Sequence, residues 1–181
     1  MLSVRSSCCV RYTLSSRMAR TWSILTVPMI SNPTKPKAID LFSGCGGMTL
    51  GLKNAGFDVV GAVEIDPFAV QTYRANHRRV RVWDIDIRLL DTEAVKRAIG
   101  LRKGQLDLLA GCPPCQGFSV LRTLNGSRNV EDPRNDLIDE FLRFVRALRP
   151  KTVLMENVPA VQRYDRFDYL LQSLDDLGYW R

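Results

Sequence analysis

The stretch GCPPCQGFS, Gly111–Ser119, sets two thiols, Cys112 and Cys115, on either side of two prolines and directly after the apolar run LDLLA. Three chemistries fit that spacing: a zinc clip, a thiol redox couple, or one nucleophile with an unreactive neighbour. Structural zinc takes four ligands, usually as two such pairs, and no second CxxC or Cys/His pair stands at suitable spacing. His77, the only histidine, reads as capping or solvating a helix end, so no metal ligand set is assigned. The redox couple stays open, since thioredoxin-like sites also follow a strand, although such a motif leads straight into its helix whereas Gln116, Gly117 and Ser119 continue as loop. Two buried, inert cysteines are the commonest fate of this residue type. A loop at the carboxyl end of a central strand is, by contrast, where open α/β sheets bind ligands.

Two further groups carry chemistry. In DLFSGCGG a glycine-rich turn leads from strand to helix, where free amide N–H groups and the positive helix end favour a carboxylate or phosphate. Glu64, at the end of the next strand, is placed to accept hydrogen bonds from ribose hydroxyls. Together they predict a nucleoside cofactor without choosing between NAD and S-adenosylmethionine; Thr49 stands where a dinucleotide fingerprint has its third glycine. In MENV, Glu156 closes a strand expected beside the one before Cys115, so a carboxyl group and a thiol face one crevice. That pair suits a reaction needing a nucleophile and a proton donor.

The elements that must position these groups alternate along the chain. KAIDLF, FDVVGAVEI, RVRVWDI, LDLLA and KTVLMEN read as strands. Helices follow near Met48–Asn54, from Asp66 as N-cap with Pro67 at the first helical position, near Asp91–Ile99, from Asp132 and Pro133 to Pro150, and around Phe167–Leu177 with Gly178 closing. Alternation of this kind predicts an α/β fold with a doubly wound, mostly parallel, Rossmann-like sheet. The closing YWR reads as the opening of another strand, so the sheet is expected to be incomplete at its carboxyl end.

Composition sets the remaining bounds. With 45% hydrophobic and 25% charged residues, the 181-residue chain is ordinary for one globular domain. Its net charge of +7 comes from the leader: six of the 26 basic residues and none of the 19 acidic ones precede Asp40, leaving the rest nearly balanced. Residues 1–36 are read as a basic, disordered leader, upstream of a start at Met29 or resembling an organellar transit peptide. No window reaches the roughly 18 apolar residues of a membrane span, and the odd, sparse set of five cysteines predicts reduced thiols. The cell interior, the cytoplasm and nucleoid of a prokaryote, is the expected compartment.

Taken in order, DLFSGCGGMTLGL, EIDPFAVQTYRAN, DIDIR, GCPPCQGFS, EDPRNDL and MENV resemble the first six motifs of the cytosine-5 methyltransferase family, over residues 37 to 180. The resemblance implies a partial S-adenosylmethionine-dependent methyltransferase domain over residues 37–181. It implies S-adenosylmethionine held by Phe42, Gly44 and Gly46, with Glu64 on the ribose, Ile65 and Asp86 at the adenine (Asp84 being the neighbouring rival), and Leu137 near the cofactor. It makes Cys115 the nucleophile that adds to C6 of a flipped cytosine, Glu156 the group on the base, and Pro114 and Asn157 further base contacts. It further implies double-stranded DNA as partner, with tRNA as the alternative substrate of the same family. The later motifs and target recognition region are missing, which fits a fragment or one subunit of a split enzyme. Cys112, where the family commonly has glycine, is then a bystander.

Overall fold

The computed structural model describes residues 34–114, 136–157 and 165–179. Five strands, β1 (Lys37–Leu41), β2 (Asp58–Glu64), β3 (Arg81–Asp84), β4 (Leu108–Gly111) and β5 (Thr152–Met155), form one sheet in the order β3-β2-β1-β4-β5. Every pairing is parallel. The helices are α1 (Gly47–Asn54), α2 (Pro67–Asn76), α3 (Thr92–Ile99), α4 (Asp136–Leu148) and α5 (Asp165–Asp176), with a short 3₁₀ turn at Ile87–Leu89. This is the doubly wound α/β arrangement the alternation predicts.

Alternation within the central strands feeds two cores. Ile39, Leu41 and Leu109 pack with Val95 of α3 and with Ile138, Phe141, Leu142, Phe144, Val145 and Leu148 of α4. Ala38, Leu108 and Ala110 point the other way, against Leu52 of α1 and Tyr73 of α2. A strand side chain changes face at every residue, so a strand buried on both faces must be apolar nearly throughout. β4, buried at all four positions, is such a strand, and Asp40 is the exception in β1.

Strand order reverses between β1 and β4, and the loops after these two strands therefore diverge and leave a crevice at their carboxyl ends. The turn after β1 and the start of GCPPC occupy it. The helix ends follow the expected chemistry. Asp66 accepts from the amide of Ala69 ahead of Pro67, and Asp91 accepts from Glu93 and Ala94. Gly178, at φ +81, follows α5. The expected cap at Asp132 and Pro133 falls outside the described residues, as does most of the leader. No helix among the described residues is long and apolar enough to cross a membrane.

The third strand is shorter than RVRVWDI. The Val80 amide donates to the His77 carbonyl at 3.0 Å, which keeps Val80 in a turn, and pairing starts only at Arg81. β3 lies at the sheet edge, where a single neighbour sets its length.

Candidate cofactor and nucleophile site

Phe42, the first residue beyond β1, has φ +57, a left-handed conformation uncommon for a residue with a bulky side chain. It ends the strand and throws the chain over the crevice. Gly46, at φ +94, is the N-cap of α1 and supplies no side-chain cap. A Cβ on Gly46 would lie 2.4 Å from the His77 ring, so only glycine fits. Gly44 faces open space on its Cβ side, where a ligand could approach the backbone.

Glu64 ends β2, and its carboxylate bridges the gap to the turn. Oε2 accepts from the Gly44 amide at 2.7 Å, and Oε1 from the amides of Ile65 and Asp66 at 2.9 Å each. The Gly46 amide donates to the Ser43 carbonyl at 2.9 Å. The expectation that these turn amides stand free is therefore corrected: those of Gly44 and Gly46 are spent inside the protein, and what the turn presents is the carboxylate they help to fix. An ionised carboxylate has about four acceptor sites, and three are filled.

Ile65, beside that carboxylate, is 60% exposed, an apolar surface next to a polar anchor. Asp86 lies further along the same rim as N-cap of the 3₁₀ turn. Its carboxylate is held by Arg88, with Nε at 3.0 Å from both oxygens and Nη2 at 2.5 Å from Oδ2. These bonds keep its pKa below the usual carboxylate range. Asp84 is exposed and 3.4 Å from Arg74. Leu137, in the first turn of α4, is half-buried against the core.

Across the crevice, the Glu156 amide donates to the Gly111 carbonyl at 3.1 Å, and the Asn157 side-chain amide donates to the Pro113 carbonyl at 3.2 Å. These bonds fix the end of β5 against the first half of GCPPC, and Pro114 is exposed beside them. Burial pushes the Cys112 thiol up to about 11, helped by the charge of Glu156, by a hydrogen bond to that carboxylate, and by the charge of Asp40. A reactive or redox-active thiol needs the opposite shift. Cys115 lies outside the described residues.

Beneath the turn is a polar cluster that the sequence reading missed. Asp40, fully buried, accepts from the Thr49 hydroxyl at 2.7 Å, and Thr49 and the Tyr73 hydroxyl are 2.7 Å apart. Thr49, at the place of a fingerprint glycine, thus ties α1 to β1 and α2. Burial raises the Asp40 carboxyl to about 6 against the opposing Thr49 hydrogen bonds, with the charge of Glu64 adding to the rise. His77 does end α2, its amide donating to the Tyr73 carbonyl at 2.8 Å, but its ring is buried rather than solvated.

A parallel sheet with an anchored carboxylate and a glycine turn at its switch point defines a Rossmann-like α/β domain with a crevice where such sheets bind ligands. The family model for C-5 cytosine-specific DNA methylase matches residues 36–180, and the chain belongs to that family. Type II methyltransferase M.DdeI of Desulfomicrobium norvegicum is 39% identical over 148 residues, which cover 78% of this chain and 34% of that protein. Type II methyltransferase M.AquIA of Picosynechococcus is 41% identical over 130 residues, covering 72% of this chain and 51% of the relative. A crystal structure described as a DNA modification methyltransferase encoded within an E. coli prophage superposes with TM-score 0.65 at 36% identity, over 78% of this chain and 38% of that one. The chain spans about a third of the length of M.DdeI and about half of M.AquIA.

Proposed function

We propose that this chain carries the cofactor- and nucleophile-bearing part of a DNA (cytosine-5-)-methyltransferase. The observation that carries the reading is the Glu64 carboxylate, fixed by three backbone amides at the crevice rim with exposed Ile65 beside it. That pairing of a polar and an apolar group suits the ribose and adenine of S-adenosylmethionine, and membership of a DNA methylase family supports a methyl donor. Glu64, Phe42, Gly44 and Gly46 would hold the nucleoside, with Ile65 against the adenine face and Leu137 near the donor. Asp86 reaches the adenine only by sharing its carboxylate with Arg88, which leaves Asp84 its competitor. The bound cofactor supplies an electrophilic methyl group on a sulfonium.

Cytosine C5 is a poor nucleophile within an aromatic ring. In the proposed reaction the Cys115 thiolate adds to C6, and Glu156 protonates or hydrogen-bonds N3, so that the ring becomes an enamine nucleophilic at C5. After C5 takes the methyl group, loss of the C5 proton expels the thiolate and restores the ring. Attack on the ring face requires the base to leave the stack, which costs a few kcal/mol, roughly. Pro114 and Asn157 would line the base pocket, Asn157 through its bond to Pro113. Target recognition is assigned to residues beyond those matched here, in the same polypeptide or in a second subunit, and double-stranded DNA is the substrate favoured by the names of the relatives.

Calorimetric titration with S-adenosylmethionine tests the cofactor assignment. Glu64→Ala is expected to weaken binding at least tenfold, through loss of the ribose contact and of the Gly44 anchor. Unchanged affinity in a folded Glu64→Ala chain would refute it.

A further inference from the structure

We propose that His77 is a positioning residue for the cofactor turn, held by Lys53 in the tautomer that donates to Gly46. The proposal deepens the cofactor assignment above and rests on it. His77 Nε2 is 3.0 Å from the Gly46 carbonyl oxygen, and Nδ1 is 3.3 Å from Lys53 Nζ. A carbonyl only accepts and an ammonium only donates. Both partners therefore demand the same ring: hydrogen on Nε2, a lone pair on Nδ1. In that tautomer the ring reads the turn through one directed bond.

The surroundings leave the ring little choice of place. It is buried, meets the Tyr73 ring edge-on at 4.7 Å between centroids, and fills the space a Gly46 Cβ would take. Gly46 is the pivot of the turn: its carbonyl also accepts from the Leu50 amide at 2.9 Å to start α1, and its own amide closes onto Ser43. Two residues upstream, the Gly44 amide bonds to Glu64. A strut from α2 to Gly46 therefore fixes where Gly44 meets the carboxylate assigned to the ribose. His77 itself touches none of the reacting atoms, and the methyl-transfer chemistry makes no use of it.

The test uses the full 181-residue chain and three variants. His77→Phe keeps a ring but loses the donor, His77→Gln puts an amide N–H near the Nε2 position, and Lys53→Met keeps the stem but frees Nδ1. Hydrogen exchange of the amides of Gly44–Gly47 is measured without ligand, and S-adenosylmethionine affinity by equilibrium dialysis. His77→Phe is expected to speed turn exchange about tenfold and weaken binding about tenfold, as for loss of one buried hydrogen bond, while β1 and β4 stay protected. His77→Gln is expected to return both within about threefold of wild type, and Lys53→Met to fall between, each a fraction of one hydrogen bond.

Unchanged turn exchange in His77→Phe would overturn the proposal. So would exchange raised evenly across the whole sheet with no rescue by His77→Gln, the signature of an ordinary core residue. If the wild-type chain binds no S-adenosylmethionine, the cofactor assignment fails, and the exchange of the free protein alone decides the role of His77.

Discussion

Burial sorts the ionisable groups of the crevice into those that can change charge near neutrality and those that cannot. With its thiol near 11, Cys112 is protonated at pH 8. Iodoacetamide at that pH is expected to alkylate exposed Cys45 at least about tenfold sooner than Cys112, followed by peptide mass spectrometry, because the thiolate is the reactive form. Equal rates would contradict the assignment of Cys112 as a bystander. Asp40 gives the second prediction. Its folded pKa, raised from 3.8 to about 6, lies above the unfolded value, so the folded state holds the proton more tightly. Its burial cost of about 3 kcal/mol is present in full above that value and is relieved as pH falls through it. Urea titrations are expected to show about 1 kcal/mol of stability gained from this group between pH 7 and pH 5, and lost in Asp40→Asn. Asp86 and Asp107, whose pKa values are lowered, lose their contributions progressively below about pH 5, outside this window. Of these residues, Glu64 and the glycine turn were legible in position, from their types and their spacing after two successive strands, but the bond between Glu64 and Gly44 was not. Asp40, Thr49, Tyr73 and His77 were not, because their partnership depends on how α2 packs over α1, and no local pattern reports that.

Among the elements, the strands were legible as apolar runs, and their ends were not. LDLLA places Leu106 in a strand that begins at Leu108, and FDVVGAVEI overruns β2 by a residue at each end, since pairing partners decide where a ladder stops. α4 shows the reverse case: of Leu137, Ile138, Phe141, Leu142, Val145 and Leu148, which stand at helical spacing, all but the half-buried Leu137 are buried, and Phe144 joins them. The Phe141 ring lies against the end of β4, where a Cβ on Gly111 would come within 2.9 Å of it and 3.2 Å of the Leu41 carbonyl. Gly111→Ala is therefore expected to cost about 1–3 kcal/mol, typical of an overpacked core. Shortening the clashing side chain in Gly111→Ala/Phe141→Leu should recover part of that loss, a coupling that chemical denaturation of the four chains reads directly. Additive losses would show that the clash is relieved elsewhere.

On the scale of the whole molecule, charge is segregated along the strand direction. The described carboxyl-end loops carry Glu64, Asp66, Asp84, Asp86 and Glu156, with Arg74 paired to Asp84 and Arg88 to Asp86, while Arg78, Arg79, Arg102, Lys103 and Lys151 outnumber Asp58 and Asp107 near the opposite ends of the strands. In the proposed function the crevice would take the cofactor and the base, and its carboxylates would disfavour a phosphate backbone. Fluorescence anisotropy with short duplexes at physiological salt is expected to give a Kd in the non-specific range, roughly 10⁻⁴ to 10⁻⁶ M, with no dependence on sequence. Sequence-selective binding tighter than that would place recognition within this chain.

In the proposed reaction it is Cys115, not Cys112, that attacks cytosine. This is tested most directly by incubating the full chain with S-adenosylmethionine and an oligonucleotide carrying a mismatched 5-fluorocytosine, whose flipping is cheapest. Fluorine at C5 cannot leave as a proton does, so the enzyme stays bonded to C6. A denaturation-resistant adduct is expected that persists in Cys112→Ser and disappears in Cys115→Ser. No adduct in the wild-type chain, or an adduct lost in Cys112→Ser, would contradict that assignment.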